Sequence, residues 1–388
     1  MDILVKPSKL CGSISAPSSV DYAHRIFLAA ALSDRFTDVY INRMTQNLRA
    51  TFDALLSVGS MIWRRDFGYE VHPCNRTLKL GFVDARESAE TLFFMLPTVL
   101  ALFGYGEFTC GKTLDKNTAE PLVKILQEHG CKFSDTSLPF VARGKLCGGR
   151  YVMPHSADSK LVSSLLLALP ILGEESEIVL TDRLPDRNGV TVTLEVLHSF
   201  GMQIREYDNR FLVPRGCKYT SPRKISVPAD EKSAACWLLA DFLGAEVRTD
   251  ADKGEITSDF NRLKNDGDVN INIKNYANLL PYFAAAASGR HGKCRISGVH
   301  NADLTAQTCA ALSSLGAKAV PSQDGVTVYG GTLSGGLCGA YENPDLTAAL
   351  AVLSSFCPEP THIHAAELPY PRFPDDFQAV GGLFFEKQ

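Results

Sequence analysis

Long apolar runs are missing from this 388-residue sequence. Apolar stretches such as Leu165–Leu172 and Phe283–Ala287 are far shorter than the about 20 residues that cross a bilayer. The opening segment, Met1–Leu10, has no apolar core of the length that a secretory signal needs. The sequence therefore predicts a protein without membrane partners, located in the cytoplasm.

Paired cysteines are also missing. The 11 cysteines form no CxxC pair and are irregularly spaced from Cys11 to Cys357. Structural zinc sites use paired ligands, and disulfide frameworks use an even number of cysteines. We therefore expect free, mostly buried thiols in a reducing compartment and no zinc. His362 and His364 alternate along a predicted strand, but no third metal ligand is indicated, so we expect no metal.

A surplus of positive charge is missing as well. The chain has 39 Lys and Arg against 43 Asp and Glu, a formal net charge of −4. Proteins that neutralise nucleic-acid phosphates usually carry a positive surplus, so no nucleic-acid partner is predicted. No GxxxxGK[ST] or GxGxxG motif opens a helix after a strand, so no nucleotide cofactor is predicted. The hydrophobic fraction of 45% is typical of a globular chain, and its length suggests two or three domains.

What the sequence does contain is a short, degenerate phrase that recurs: an apolar residue, two residues, another apolar residue and then glycine. A glycine in that position ends an amphipathic helix, because it adopts the left-handed conformation at little cost. Strands such as Met202–Ile204 and Lys318–Val320 are predicted to follow. The phrases predict about six helix-then-strand units, the alternative being chance recurrence of a degenerate pattern. They are Leu55–Gly59, Leu126–Gly130, Leu197–Gly201, Leu263–Gly267, Leu312–Gly316 and Phe377–Gly381.

Two segments are predicted to be helices, the second of them buried, and a third segment predicts a domain boundary. Ala23–Leu32 is dense in good helix formers, and Ser163–Leu169 is apolar all round. The polar, proline-containing stretch Arg215–Pro228 separates three of the glycine-ended units from the other three. We therefore predict a first domain at 13–227 and a second made of 1–12 plus 228–388.

Several motifs resemble those of the 5-enolpyruvylshikimate-3-phosphate (EPSP) synthase family. Pro17–Arg25 resembles the family's proline, small residue, Ser-Lys-Ser and His-Arg signature, which opens an apolar helix. Glu87–Phe94 resembles its Glu-Ser-Gly-Ser-Thr-Leu-Arg-Phe motif. The later landmarks keep their order along nearly the whole chain: Leu161–Pro170, Asn278–Pro281, Phe373–Phe377 and Gly381–Gly382.

The resemblance implies an α/β fold of two domains, an inverse α/β barrel with three repeated units in each domain. It also implies a ligand cleft between the domains, a monomer and no cofactor. The family moves the enolpyruvyl group of phosphoenolpyruvate to the 5-hydroxyl of shikimate 3-phosphate and releases phosphate. Holding two phosphates and two carboxylates requires several Arg and Lys side chains.

The sequence departs from the family at its charged positions. Asn278 falls where the family has the aspartate usually assigned as base, and Asp186 and Gly189 fall on a Ser-x-x-Tyr pair. New acids would repel anionic substrates, and they are Asp21, Asp158, Asp186 and Asp345. Positions where the resemblance implies lysine or arginine hold Val20, Phe93, Thr113, Asn117, His300, Leu304, Asp345 and Pro371.

Five residues remain as candidate contacts to a small anionic substrate or an altered ligand: Ser19, Arg25, Ser159, Lys160 and Asn278. Asn278 can hydrogen-bond a hydroxyl but has no pKa near neutrality, so it cannot act as the base. Arg25 has an ordinary helix-surface arginine as its alternative interpretation, and Lys160 a solvated lysine. No catalytic residue is assigned; His300, the one titrating group on a family motif, is only a weak candidate acid or base.

Three functions stay open. The first is a degenerate family member that has lost or altered its enolpyruvyl transfer. The second is an active 3-phosphoshikimate 1-carboxyvinyltransferase whose cations have moved, supplied by Arg25 and Lys160 with nearby basic residues. Those residues are Lys112, Lys116, Arg183, Arg187 and Arg372. The third, enolpyruvyl transfer to a UDP-sugar, is disfavoured because the chain lacks a recognisable cysteine loop and the Lys-Asn start.

Overall fold

The computed structural model describes residues 2–75, 81–184, 187–251, 254–265, 267–365, 367–370 and 372–387. Contacts between Cα atoms divide the chain into two compact units. We call Ser18–Pro228 the inserted unit, and Met1–Pro17 with Ala229–Gln388 the flanking unit. Asp186 and Pro371, both singled out by the sequence, lie outside the described residues.

Twelve α-helices occur in the described part of the chain, six in each unit. The inserted unit contains α1 (Val20–Leu32), α2 (Gln46–Ser57), α3 (Ala89–Phe103), α4 (Glu120–Glu128), α5 (Ser159–Ala168) and α6 (Asn188–Ser199). The flanking unit contains α7 (Ala235–Phe242), α8 (Glu255–Leu263), α9 (Leu280–Ser288), α10 (Ala302–Ser314), α11 (Pro344–Ser354) and α12 (Phe373–Ala379). Two 3₁₀ segments, Leu169–Leu172 and Lys274–Leu279, adjoin α5 and α9.

The strands are equally regular in their distribution. The first two belong to the flanking unit: β1 (Asp2–Lys6) and β2 (Cys11–Ile14). The inserted unit contains β3 (Thr37–Tyr40), β4 (Ile62–Arg65), β5 (Gly68–Val71), β6 (Phe82–Asp84), β7 (Tyr105–Thr109), β8 (Lys132–Phe133), β9 (Phe140–Arg143), β10 (Arg150–Met153), β11 (Ser176–Leu180), β12 (Arg205–Tyr207), β13 (Arg210–Val213) and β14 (Lys224–Ser226). The rest lie in the flanking unit: β15 (Glu246–Thr249), β16 (Val269–Asn272), β17 (Lys293–Ser297), β18 (Lys318–Ser322), β19 (Gly325–Tyr329), β20 (Gly336–Tyr341), β21 (Thr361–Ala365) and β22 (Leu383–Lys387).

The sheets repeat one pattern. Five four-stranded sheets each have a parallel pair at one side followed by two antiparallel pairings. In the inserted unit the orders are β6-β7-β9-β8, β10-β11-β13-β12 and β14-β3-β5-β4. In the flanking unit they are β16-β17-β19-β18 and β20-β21-β1-β22. The sixth sheet is the parallel pair β15-β2 alone, since the described residues between α8 and β16 form no hairpin.

Each repeat uses two kinds of helix. In each four-stranded sheet, the helix before the inner strand of the parallel pair is buried nearly all round; every residue of α9 is buried. The helix after that inner strand buries one face, and α4 buries Leu122, Val123, Ile125 and Leu126. A helix that is apolar all round must lie inside the unit, whereas an amphipathic one covers it. Each unit has one large cluster of buried side chains, and Ala16, Ala234 and Ala251 form a small third cluster in the flanking unit.

Five of the six glycine phrases end an amphipathic helix, with the glycine two positions after the last helical residue, which confirms the prediction there; α8 instead ends at Leu263, four positions before Gly267. The six glycines have φ between 80° and 90°, the left-handed conformation that favours glycine. The predicted strand at Met202–Ile204 is wrong, because the strand starts at Arg205 and the residues before it have no regular structure. The strand predicted at Lys318–Val320 is confirmed and continues to Ser322.

The structure also bears on the expectations about the cysteines and about membrane-spanning helices. Seven of the 11 cysteines are buried, as the sequence predicts for most of them. None of the helices in the described ranges combines the length and the apolar character that a bilayer span requires.

Candidate functional site

The starts of four helices of the inserted unit lie together. Lys160, the second residue of α5, places Nζ 3.7 Å from Oε1 of Glu90, the second residue of α3. Arg25 of α1 donates from Nη2 to the carbonyl of Gly189 in the first turn of α6, at 3.1 Å. A Cβ on Gly189 would lie 2.7 Å from the Ser159 hydroxyl. We call Arg25, Glu90, Ser159, Lys160 and Gly189 the helix-start site.

Arg25 is held inside the unit rather than on its surface. Its side chain is only 2% exposed, which rules out the surface-arginine interpretation. Nε donates to the Thr193 hydroxyl at 2.6 Å, and Nη1 donates to the Asp21 carbonyl at 2.7 Å. The guanidinium also lies over the Phe94 ring, 4.8 Å from its centroid. Three of its five N–H groups are therefore used within the protein.

The acceptors around Arg25 are themselves ordered. The Thr193 hydroxyl donates to the Gly189 carbonyl at 2.7 Å and lies 2.8 Å from the Ser163 hydroxyl. Burial lowers the pKa of Arg25 to about 10, while the charges of Asp21 and Glu90 oppose that change. The guanidinium therefore stays charged at neutral pH, and two carboxylates lie close enough to stabilise it.

Lys160 is neither free nor deeply buried. Its side chain is 36% exposed and that of Glu90 is 27% exposed, and the two form an ion pair at the starts of neighbouring helices. Both residues occupy the second position of their helix, where a carboxylate is favoured and an ammonium is not. Glu90 therefore compensates both the lysine and the positive end of α3.

The N-cap residues of α1 and α5 differ in their hydrogen bonds. Ser19 is the N-cap residue of α1, but its side chain makes no capping hydrogen bond. Asp158, one of the new acids, caps α5 by accepting from the Leu161 N–H at 2.9 Å. Asp21 is exposed, and it is its backbone carbonyl that binds Arg25.

Asn278 belongs to the flanking unit, in the 3₁₀ segment before α9, and it is exposed. Its neighbour is Asp345 in the first turn of α11. The Tyr282 hydroxyl donates to Oδ1 of Asp345 at 2.9 Å. Burial raises the pKa of Asp345, and hydrogen bonds from Tyr282 and Asn278 oppose this rise. We call these three residues the Asp345 cluster.

The positions where the family resemblance implies a cation serve other purposes here. Phe93 is 5% exposed and belongs to the core. The Thr113 N–H and the Leu114 N–H donate to the carboxylate of Glu87, at 2.9 and 2.8 Å. Leu304 is buried, and Val20 is half-buried at the start of α1. These residues stabilise the fold by packing and by hydrogen bonds within the chain.

The two asparagines in the late motifs are helix caps. Asn301 accepts from the Leu304 N–H at 3.0 Å, and Asn343 accepts from the Leu346 N–H at 3.0 Å. Such caps satisfy N–H groups that a helix start leaves without a partner. His300, directly before the first cap, is exposed.

The nearby basic residues do not gather at the helix-start site through any contact that the structure shows. Lys112, Lys116 and Arg183 are exposed. Arg187 pairs with Glu206, and Arg372 approaches Asp376 at 3.9 Å. His362 and His364 are both exposed on β21, and His364 pairs with Asp2. Within the described ranges, no group of three or more His, Cys, Asp or Glu residues could hold a metal ion.

Sequence reasoning missed Glu90. It was visible as a carboxylate in the Glu87–Phe94 motif, but its partner Lys160 lies 70 positions later. The available signal was that Glu90 and Lys160 carry opposite charges and that each is the second residue of a helix. The network of Thr193 and Ser163 around Arg25 had no comparable signal, because hydroxyl groups in helices are commonplace.

Comparison with known proteins identifies the family. The family model described as EPSP synthase (3-phosphoshikimate 1-carboxyvinyltransferase) matches residues 4–250, more than half of the chain. The chain is 27% identical to the 3-phosphoshikimate 1-carboxyvinyltransferase of Clostridium botulinum (strain Alaska E43 / Type E3), with 98% of each chain aligned. It is 25% identical to the protein of that name from Clostridium novyi (strain NT), over 99% of this chain and 98% of the relative.

Solved structures agree on the fold. An EPSP synthase from Acinetobacter baumannii superposes with a TM-score of 0.81 at 18% identity, over 100% of both chains. The enolpyruvyl transferase NikO from Streptomyces tendae gives a TM-score of 0.65 at 12% identity, over 99% of this chain and 98% of NikO. The two-domain α/β fold expected from the resemblance is confirmed. On the match of the family model, the chain belongs to the EPSP synthase family.

Proposed function

We propose that this protein keeps the EPSP synthase fold while its enolpyruvyl-transfer activity is lost or altered. It acts in the cytoplasm, as a monomer, by binding a small ligand. Ser19, Arg25, Ser159, Lys160 and Asn278 are the proposed contacts to that ligand, and no residue is assigned as catalytic acid or base.

One observation supports this proposal most directly. Arg25 is the best-matched cation of the family motif, and its guanidinium is committed to Thr193, Gly189 and Asp21. A guanidinium with three N–H groups occupied cannot also grip a phosphate or carboxylate from several directions. Lys160, the other candidate cation at the helix-start site, is paired with Glu90.

The positions at which a family cation is replaced support the same proposal. A hydrogen bond to a charged group contributes about 1.5–3 kcal/mol, and micromolar binding requires about 8 kcal/mol in total. Phe93 lies in the core, and Asp345 brings a negative charge where the resemblance implies a positive one. Losing several such contacts removes most of the free energy that would hold two anionic substrates.

The alternative is an active 3-phosphoshikimate 1-carboxyvinyltransferase with relocated cations. The observation that favours it is similarity over the whole length, because relatives with that name align over 97–98% of their own length. In that case the carboxyvinyl group of phosphoenolpyruvate would pass to shikimate 3-phosphate with release of phosphate, as in the family.

The deciding experiment is phosphate release in a single turnover, with the protein in excess over phosphoenolpyruvate and shikimate 3-phosphate. The Acinetobacter baumannii EPSP synthase serves as the positive control. We expect no stoichiometric phosphate release over hours from this protein, while the control releases phosphate in a burst. A burst of comparable amplitude from this protein would overturn the proposal and establish the active-enzyme alternative.

A further inference from the structure

The strongest unexplained feature of the helix-start site is its balance of charge. Two side-chain cations, Arg25 and Lys160, lie beside the start of α3. A helix start adds the equivalent of about half a positive charge. Such an arrangement attracts anions, yet the chain itself supplies a carboxylate there, from Glu90 in the second position of that helix, in addition to the charge of Asp21 near Arg25.

Glu90 interacts with both cations. Its Oε1 lies 3.7 Å from Nζ of Lys160, and its charge is among those that favour the ionised form of Arg25. Its side chain is 27% exposed, so solvent and a ligand can reach the same surface. A ligand phosphate at this surface would meet cations that are already neutralised and a carboxylate that repels it.

We propose that Glu90 is a specificity-determining residue, a built-in counter-anion that makes the helix-start site reject phosphate-bearing ligands and accept uncharged, hydroxyl-bearing ones. This inference rests on the proposed function and adds the class of ligand to it. The hydroxyl of Ser159 beside Gly189 gives such a ligand a polar partner that bears no charge.

A simpler role for Glu90 is to stabilise α3. An acidic residue in the first turn of a helix and a partly exposed ion pair are both common and can have a purely structural role. The chain supplies a matched control for that role. Glu120, the first residue of α4, pairs with Lys124 at 2.7 Å, and among the described residues no arginine contacts it. Neutralising Glu120 therefore reproduces the helix effect without the effect on Arg25 and Lys160.

The test compares Glu90→Gln and Glu120→Gln with the unaltered protein, using inorganic phosphate and phosphoenolpyruvate as probes in calorimetric titrations. We expect Glu90→Gln to bind phosphate at least tenfold more tightly than the unaltered protein, and Glu120→Gln to bind it equally weakly. Adding Lys160→Met to Glu90→Gln should abolish the gain, which locates the new binding at the helix-start site. Glu90→Ser, which suits a first turn, is the second variant if Glu90→Gln folds poorly.

Two outcomes overturn the inference. The first is a folded Glu90 variant that binds phosphate no better than the unaltered protein, and the second is an equal gain for Glu120→Gln. Either result leaves the proposed function intact if the unaltered protein still releases no phosphate in a single turnover. Conversely, phosphate release by the unaltered protein overturns the proposed function, whatever the Glu90 variants do.

Discussion

The two units share one repeated sheet pattern but place different chemistry at their helix starts. In the inserted unit, Arg25 and Lys160 lie beside Glu90. In the flanking unit, Asp345 lies beside a phenol and an amide, those of Tyr282 and Asn278. The difference teaches that the backbone supplies positive helix ends in both units, while side chains of the first turns decide the charge that remains.

The two units also differ in how protonation of a buried group affects the stability of the folded state. Burial lowers the pKa of His24 in the inserted unit to about 3, whereas burial raises the pKa of Asp345 in the flanking unit. Nδ1 of His24 lies 2.7 Å from the Thr51 hydroxyl, and Nε2 has no hydrogen-bond partner among the described residues. Protonation of His24 therefore opposes folding of the inserted unit, whereas protonation of Asp345 favours folding of the flanking unit.

The largest expected effect comes from truncating the candidate ligand contact that is buried. Arg25→Ala should lower the free energy of unfolding by about 3–5 kcal/mol, because it leaves a cavity and deprives the Gly189 carbonyl and Thr193 of a charged donor. Asn278→Ala, at an exposed residue of the flanking unit, should change it by less than about 1 kcal/mol. Urea unfolding of both variants measures the difference; equal losses would remove the contrast between the two sites.

The second effect is the pH dependence that His24 gives to the inserted unit. Its pKa in the folded state is below the unfolded value, so its contribution is fully present above about pH 6.5 and is lost as the pH falls toward about 3. The loss should reach a few kcal/mol at the acid end. His24→Gln should flatten this part of the unfolding free energy against pH.

The exposed His291 provides the control for that measurement. The variant His291→Gln should keep the acid-dependent loss of the unaltered protein. If His24→Gln kept it too, the acid sensitivity would have to come from other groups.

The third effect compares two glycines, each of which lies against a carboxylate that accepts backbone N–H groups. Glu231 accepts from the N–H groups of Gly254, Ile256 and Thr257 at 2.7–3.1 Å. A Cβ on Gly254 would collide with that carboxylate, so Gly254→Ala should cost about 1–2 kcal/mol. Gly111→Ala, which displaces the exposed Glu87 in the same way, should cost less. Thermal unfolding of both variants would contradict this ranking if Gly111→Ala were the more damaging change.

The smallest expected effect tests the flanking unit. The pKa of Asp345 is raised in the folded state, so its contribution favours folding at low pH and is lost as the pH rises through the folded-state value. Asp345→Asn should therefore stabilise the protein slightly at about pH 8, by less than about 1 kcal/mol, and not at about pH 3. Unfolding at the two pH values measures this, and a variant that was less stable at pH 8 would refute it.

Local patterns in the sequence determined much of the fold. Five of the six glycine phrases marked the ends of amphipathic helices, because the residue after such a helix end adopts a positive φ that favours glycine. Ala23–Leu32 marked a helix because it is dense in good helix formers, and Ser163–Leu169 marked a buried helix because an apolar side chain on every face leaves no surface for water. The strand after Gly201 was misplaced by three residues, since alternation over so few positions is a weak signal.

Only the tertiary structure decided which distant segments meet. Strand β2 pairs with β15, and strand β14 pairs with β3. All or most of the sequence of the inserted unit lies between the two strands of each pair, and no local pattern specifies such partners. The same holds at the helix-start site, where Lys160 meets Glu90 and Arg25 turns inward to Thr193. The sequence by itself determined where helices end and which faces are apolar, because those depend on neighbouring residues. Packing decided which charges neutralise one another, because Coulomb energy and hydrogen bonding depend on distance in space and on burial.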